Sequence, residues 1–173
     1  CNEILKRLTL NPVEEDEFID KDINIRDYLH EIISSFKEIS KKEFVFNFDQ
    51  DSNPKKISKS IEIVYGLRNF IGNANKFAKN SIFINLKSDS EFTELTVEDD
   101  GNGYPRDIIS KIGEPYLKSN YSKDKSKEGL GLGLFIGKTL LEKNFASVNC
   151  RNSKTRSGAE VIIRWKNKEL FNI

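Results

Sequence analysis

The stretch EGLGLGLFIGKTLLEKN, Glu128 to Asn144, places glycines at three alternate positions and follows them with a Gly-Lys-Thr triplet. It looks like a loop that cradles phosphate, yet it fits neither common pattern. A Walker A loop needs a glycine five residues before the glycine of the triplet, and that position holds Leu132. The dinucleotide pattern G-x-G-x-x-G fails as well, because its last glycine falls on Leu134 or Ile136. The meaning of these glycines therefore has to come from the rest of the chain.

The composition favours one globular domain. The chain has 173 residues, of which 37% are apolar and 32% charged, and its formal net charge is +1. This balance gives no general attraction to nucleic acid or membrane, and the lysine run SKDKSKE is typical of a solvated loop. Two cysteines are too few for a disulfide framework and favour a reducing compartment. No apolar run approaches the roughly 18 to 20 residues that cross a bilayer.

The start of the chain predicts a piece of a longer protein. The sequence begins at Cys1 and contains no methionine. Residues 1–10 carry apolar residues at helical spacing and predict the last turns of a helix, and residues 11–23 form an acidic linker. We expect the main domain to occupy residues 24–173.

Hydrophobic patterns predict three helices and five strands in that domain. The helices are expected from Ile25 to about Lys42, over residues 59–80, and from about Leu132 to Lys143. The strands are expected around EFVFNFD, SIFINLK, ELTVEDD, SVNCR and AEVIIRW. Long helices beside mostly hairpin-linked strands predict an α/β fold, a two-layer sandwich with a mixed, mostly antiparallel sheet and three main helices on one face.

Two further polar clusters stand out. Asn69, Asn73 and Lys76 lie at i, i+4 and i+7 of the second helix and share one face. Amide oxygens suit Mg²⁺ and a lysine suits phosphate, although such an edge could also simply face water. Asp99 ends an apolar row of strand positions and precedes Gly101 and Gly103. It could accept a hydrogen bond from a ligand amine, or the segment could be an ordinary turn.

The three motifs, taken in this order, resemble the N, G1 and G2 boxes of the GHKL (Bergerat-fold) ATP-binding domain, shared by histidine kinases, gyrase B, Hsp90 and MutL. The resemblance covers residues 24–166 and implies ATP and Mg²⁺ as cofactors. It implies that the alternating glycines belong to a lid over the triphosphate and that Gly-Lys-Thr lies inside the following helix.

Position 69 distinguishes the branches of this superfamily. The gyrase, Hsp90 and MutL branch is identified by a glutamate there that activates water, whereas this chain has Asn69, which cannot take a proton. That pattern is similar to histidine kinases, which transfer phosphate to an outside acceptor. The segments GEPYLKSN, CNEIL and GLGLGLFIGKTLLE are similar to the RegB/PrrB group of redox-responsive sensor kinases.

Carried over by this resemblance, Asn73 would coordinate Mg²⁺ with support from Asn69, and Lys76 would approach phosphate. Asp99 would bind the adenine amine. The remaining residues implied to shape the nucleotide site or its lid are Gly101, Gly103, Tyr116, Gly129, Gly131 and Gly133.

His30 and Cys1 need separate interpretations. His30 is the only histidine, but it lacks the sequence that follows a phosphoacceptor histidine and lies too close to Asn73, so we expect an ordinary surface histidine. Cys1 would be the redox-active thiol of the RegB-like group or a chance cysteine at the start of the chain. Cys150, in a predicted strand, is expected in the core.

The resemblance implies the catalytic domain of a two-component sensor histidine kinase. The ATP γ-phosphoryl would pass to a histidine on an upstream dimerisation domain, homodimeric in the full protein, and then to a response regulator. The chain alone would bind nucleotide without autophosphorylating, as the cytoplasmic domain of an inner-membrane sensor. A serine kinase of the anti-sigma type and a degenerate nucleotide-binding module that only binds a partner protein remain alternatives.

Overall fold

A computed structural model describes residues 22–49, 56–58, 60–115 and 132–170 of the chain. The strands in chain order are β1 (Asp22–Asn24), β2 (Glu43–Phe48), β3 (Lys56–Ser58), β4 (Ser81–Ser88), β5 (Phe92–Asp99), β6 (Ser147–Asn152) and β7 (Ala159–Lys166). The helices are α1 (Ile25–Lys37), α2 (Ile61–Phe77), α3 (Arg106–Ile109), α4 (Gly133–Lys143) and α5 (Asn167–Leu170).

A five-stranded mixed sheet of order β2-β4-β5-β7-β6 forms one layer. Strands β2 and β4 run parallel with α2 in the crossover between them, and the other neighbouring pairs are antiparallel. Helices α1, α2 and α4 form the second layer, and their apolar faces bury one face of the sheet. The predicted fold class and the five predicted strands are confirmed.

The core forms where the helix stripes meet the inward rows of the strands. Leu95 and Val97 of β5 lie opposite Ile163 and Val161 of β7, and all four side chains are buried. Apolar burial of this kind contributes about 25 cal/mol per Å² and is the main favourable term of folding. Since β5 is the central strand of the sheet, it is held in place by pairing with β4 on one side and β7 on the other.

The first helix is shorter than its apolar pattern predicts. Helix α1 ends at Lys37 rather than near Lys42, and Ile39 is 80% exposed. The residues that follow turn back to make polar contacts with the end of α2: the Ser40 hydroxyl donates to the Asn75 side chain, and the Lys42 ammonium donates to the Asn75 carbonyl oxygen. The helix therefore ends before Ile39, because these tertiary hydrogen bonds stabilise the turn more than one further apolar residue would stabilise the helix.

The second helix begins and ends inside its predicted range. Its buried stripe is rotated from the one predicted by the apolar residues at helical spacing, which are Ile61, Val64, Ile71, Ala74 and Ala78. Ile71 and Ala74 are buried as predicted, as is Ala78 just past the helix end, but Ile61 is 36% exposed and Val64 only half-buried. The buried positions of the helix are Ile63, Gly66, Leu67, Phe70, Ile71 and Ala74. The apolar pattern did not predict that Gly66 is buried, because glycine has no side chain to count as apolar.

Four short elements were not predicted. β1 and β3 form a separate antiparallel pair whose register places Ile23 beside Ile57, and α3 and α5 are four-residue helices. Three or four residues carry too little periodicity for sequence patterns to find them. No helix in the described parts of the chain is long and apolar enough to span a membrane.

Candidate functional site

Asp99 is a buried carboxylate at the end of the central strand. It is 3% exposed and lies on the same inward face of β5 as Leu95 and Val97, as the alternation predicts. Its Oδ1 atom accepts a hydrogen bond from the Gly101 N–H at 2.8 Å and a longer one from the Ala159 N–H at 3.4 Å. The carboxylate is thus fixed in direction by the backbone on either side of it.

The surroundings of Asp99 make its charge costly. Burial raises the pKa of the Asp99 carboxyl above its ordinary value, and the N–H groups of Gly101 and Ala159 offset that shift only in part. A ligand donor placed against the carboxylate would supply the hydrogen bonding that water supplies elsewhere. Asp99 is therefore suited to accept a hydrogen bond from a bound molecule.

Two glycines let the backbone close in around this carboxylate. A Cβ on Gly101 would overlap the carbonyl oxygen of Phe77 at the end of α2, and a Cβ on Gly158 would overlap the backbone oxygen of Asp99. No larger residue fits at either position without a shift of the backbone. Gly158, which precedes β7, is a site residue that sequence reasoning missed; its signal was a lone glycine before a strand.

Gly103 is constrained by conformation as well as by space. Its φ angle is +76°, in the left-handed region that favours glycine. A Cβ there would also lie 2.7 Å from Oδ1 of Asn152. The turn after β5 is thus held in one shape by residues distant in sequence.

The amide residues of α2 approach the start of α4. The Asn69 Nδ2 atom donates to the Tyr65 carbonyl oxygen at 2.7 Å, which turns its Oδ1 atom away from the helix. A Cβ on Gly133, the first residue of α4, would lie 3.6 Å from that oxygen. Asn73, one turn further, is half-buried, and its side chain makes no hydrogen bond to a described residue. The structure therefore brings Asn69 and the last alternating glycine together.

The N-terminus of α4 completes the arrangement. No side chain caps it, because Leu132 occupies the N-cap position. The first N–H groups of a helix that lack a cap, together with the helix dipole, attract anions such as phosphate. The Asn69 amide oxygen beside such a terminus, with Asn73 one turn away on the same helix, is a donor set that suits Mg²⁺ shared with phosphate oxygens.

The Gly-Lys-Thr triplet is part of a helix rather than of a phosphate-binding loop. Its residues lie inside α4, as predicted, and Gly137 is buried where α4 crosses α2. A Cβ on Gly137 would lie 2.8 Å from a ring carbon of Phe70 and 3.2 Å from the Gly66 carbonyl oxygen. This glycine permits close helix packing, and its likeness to a Walker A loop is accidental.

The other singled-out side chains lie apart from these contacts. The Lys76 ammonium lies 5.4 Å from the centre of the Phe77 ring. His30 is exposed on α1 as expected, with its ring edge-on to Phe46 at 4.7 Å between centroids. Cys150 is only partly buried and packs against the core, and burial raises the pKa of its thiol to about 11. Such a thiol is poorly reactive.

Four predicted site residues fall outside the described part of the chain: Cys1, Tyr116, Gly129 and Gly131. Among the residues that are described, no group of three or more histidine, cysteine, aspartate or glutamate side chains could hold a metal ion. A metal at this site would therefore depend on amide oxygens and on its phosphate ligands.

Comparison with known proteins identifies the family of this chain. The family model described as "Histidine kinase-, DNA gyrase B-, and HSP90-like ATPase" matches residues 58–169. The sensor histidine kinase RegB of Cereibacter sphaeroides is 38% identical over 97 residues, which is 53% of this chain and 21% of RegB. The matched stretch thus spans about a fifth of the length of this curated relative.

Solved structures show the same fold. The catalytic domain of the histidine kinase ThkA has a TM-score of 0.69 at 20% identity, with 85% of this chain and 97% of that chain covered. The full-length ShkA structure, whose title states a complex with AMPPNP, has a TM-score of 0.68 at 19% identity. That match covers 84% of this chain and 30% of ShkA.

Proposed function

Because this chain belongs to the family of histidine kinase-, DNA gyrase B- and HSP90-like ATPases, we propose that it is the ATP-binding catalytic domain of a two-component sensor histidine kinase. Its relatives RegB of Cereibacter sphaeroides and RstB of Escherichia coli bear the names of sensor proteins. The observation that carries the proposal is that α2 contacts both the turn after β5, through Phe77 and Gly101, and the start of α4, through Asn69 and Gly133.

Each end of the nucleotide would contact a different element. The ionised Asp99 carboxylate would accept a hydrogen bond from the adenine amine, with Gly101 and Gly103 allowing the ring to approach the backbone. The N-terminus of α4 at Gly133 would face the phosphates. AMPPNP in the complex with the structural neighbour ShkA supports an adenine nucleotide as the ligand.

The asparagine edge of α2 would hold Mg²⁺ through amide oxygens. The Asn73 side-chain oxygen accepts no hydrogen bond from a described residue and would be available to the metal. The hydrogen bond from Asn69 Nδ2 to the Tyr65 carbonyl oxygen turns the Asn69 Oδ1 atom away from the helix. Mg²⁺ held there would supply positive charge to offset the negative charge of the phosphate oxygens. Lys76, one turn on, would add a positive charge near the phosphates once its side chain leaves the Phe77 ring.

Asn69 favours transfer over hydrolysis. A carboxamide cannot accept a proton from water, so the site positions the γ-phosphoryl without activating a water molecule. The acceptor would be a histidine on a dimerisation domain, and a response regulator would receive the phosphoryl group next. Tyr116, Gly129 and Gly131 would belong to a lid that shields the phosphates, and Cys1 to a redox-responsive segment of a membrane-anchored kinase.

Phosphorylation of the full protein with γ-labelled ATP tests this function. We expect an acid-labile, base-stable label, the signature of phosphohistidine, that the His30→Ala variant retains and the Asn73→Ala variant loses. An acid-stable label would instead favour the serine kinase, and binding without any label the degenerate module. Rapid release of free phosphate with no labelled protein would contradict transfer.

A further inference from the structure

Asn152, the last residue of β6, contacts the turn that follows Asp99. Its Oδ1 atom accepts a hydrogen bond from the Tyr104 N–H at 2.6 Å, and its Nδ2 atom donates to the Tyr104 carbonyl oxygen at 3.1 Å. One side-chain amide therefore pairs with both backbone groups of one residue, as a neighbouring strand would. Tyr104 is itself buried, so the end of this turn is held through both its side chain and its backbone.

The same side chain shapes Gly103. The Asn152 Oδ1 atom lies 2.7 Å from where a Cβ on Gly103 would be, and the Ser157 carbonyl oxygen lies 3.3 Å from that point. On the opposite side of the turn, Gly101 packs against the Phe77 carbonyl oxygen. The backbone from Gly101 to Tyr104 is thus clamped between the end of α2 and the end of β6.

The turn between β6 and β7, residues 153–158, is well braced and also contacts Asp99. The Ser153 N–H donates to the Gly158 carbonyl oxygen at 2.8 Å, and the Ser153 hydroxyl accepts from the Arg156 N–H at 2.9 Å. Arg156 forms an ion pair with Glu98 at 2.7 Å, next to Asp99 itself. Because Gly158 abuts the Asp99 backbone, this turn fixes the position of Asn152 relative to the carboxylate.

We propose that Asn152 is a positioning residue for adenine recognition: it holds the Gly101–Tyr104 backbone so that the Asp99 carboxylate and the glycines meet the purine ring in one geometry. This inference rests on the proposed function and assigns a role to a residue outside the three sequence motifs. Asn152 itself does not touch the nucleotide.

The test is calorimetric titration of ATP into the 173-residue chain and its variants. We expect Asn152→Ala to weaken ATP affinity about tenfold, the loss that two neutral hydrogen bonds to the turn imply. The matched control is Asn149→Ala, at an exposed asparagine of the same strand whose side chain makes no hydrogen bond to a described residue. Its affinity should equal that of the wild type.

A second ligand separates positioning from general loosening of the fold. Purine riboside triphosphate lacks the exocyclic amine, so it cannot make the Asp99 contact. We expect Asn152→Ala to weaken its binding much less than it weakens ATP binding. Equal losses for both nucleotides would overturn the proposal, because they would show that Asn152 acts on the site as a whole.

A conservative variant keeps the proposal testable if the alanine variant folds poorly. Asn152→Asp retains the oxygen that accepts from the Tyr104 N–H and loses the donor to its carbonyl oxygen, so its ATP affinity should lie between those of the wild type and Asn152→Ala. A wild-type affinity in both Asn152 variants would refute the positioning role while leaving the proposed function intact. Absence of ATP binding by the wild type would instead refute the proposed function.

Discussion

The buried Asp99 carboxylate lowers the stability of the free protein when it is charged, and a hydrogen-bond donor from a ligand would offset that cost. Its carboxylate is buried, and burial raises its pKa in the folded state. Because of this raised pKa, the Asp99 carboxylate binds a proton more tightly in the folded protein than in the unfolded chain. The free energy of unfolding therefore falls as the pH rises from the unfolded value of 3.8 through the raised folded value, and above that window the charged Asp99 destabilises the fold.

The substitution Asp99→Asn tests this account of stability. The amide oxygen of asparagine can still accept from the Gly101 and Ala159 N–H groups, but it carries no charge to bury. We expect the variant to be at least as stable as the wild type at neutral pH, and the advantage to shrink as the pH falls below the raised pKa. Urea unfolding at several pH values measures this. A variant clearly less stable at neutral pH would show that the ionised carboxylate stabilises the free protein.

Individual residues differ in how far the sequence could predict them. Asp99 followed from the alternation of β5, because a period of two fixes which side chains share a face. Asn152 and Gly158 did not, because their importance lies in contacts with Tyr104 and Asp99, far away along the chain. Nothing local in the segments NSK or RSGAE specifies those partners. The roles of Tyr116, Gly129, Gly131 and Cys1 stay predictions.

At the scale of elements, the site depends on the close crossing of α2 and α4. Gly66 and Gly137 face each other there, and a Cβ on Gly66 would lie 2.8 Å from the Cγ atom of the fully buried Leu141. At the N-terminal end of α2, the Lys143 ammonium and the Asn144 amide both bond the Glu62 carboxylate at 2.8 Å. These contacts set the distance between the asparagine edge and the start of α4.

The same substitution at two glycines of α2 should have opposite effects. Gly66→Ala would overpack the crossing and destabilise the fold by about 1–3 kcal/mol. In Gly72→Ala the added Cβ would contact only the Phe36 ring, at an ordinary van der Waals distance of 3.5 Å. This substitution should stabilise the fold by about 0.5–1 kcal/mol because alanine has the higher helix propensity. Urea denaturation of both variants provides the measurement. Shifts of the same sign in the two would mean that the crossing is not tightly packed.

The ends of the elements were harder to predict than their existence. The long helices and all five strands of the main sheet have strong periodicity, whereas the end of α1 depends on the tertiary contacts of Ser40 and Lys42 with α2. The β1–β3 pair depends on a partner strand that a three-residue pattern cannot indicate. Long periodic segments are therefore predictable, and ends set by distant partners are not.

At the scale of the molecule, the two-layer architecture explains how two glycine motifs that are distant in sequence both contact α2. The sheet carries Asp99 on its central strand, and the helix layer carries the asparagines on α2 and the uncapped N-terminus of α4. The crossing of α2 and α4 fixes the distance between the asparagines and the start of α4. The β6–β7 turn packs against the Asp99 backbone through Gly158. Under the proposed function, these elements would bind the nucleotide without a Walker A loop.

Titration of ATP with Mg²⁺ into the wild-type chain and the Asp99→Asn variant tests the central claim most directly. The claim predicts saturable binding at one site by the wild type. It also predicts an affinity roughly ten- to a hundredfold weaker in the variant, because a hydrogen bond to a charged acceptor is lost. Equal affinity in the two proteins, or no binding by the wild type, would contradict it.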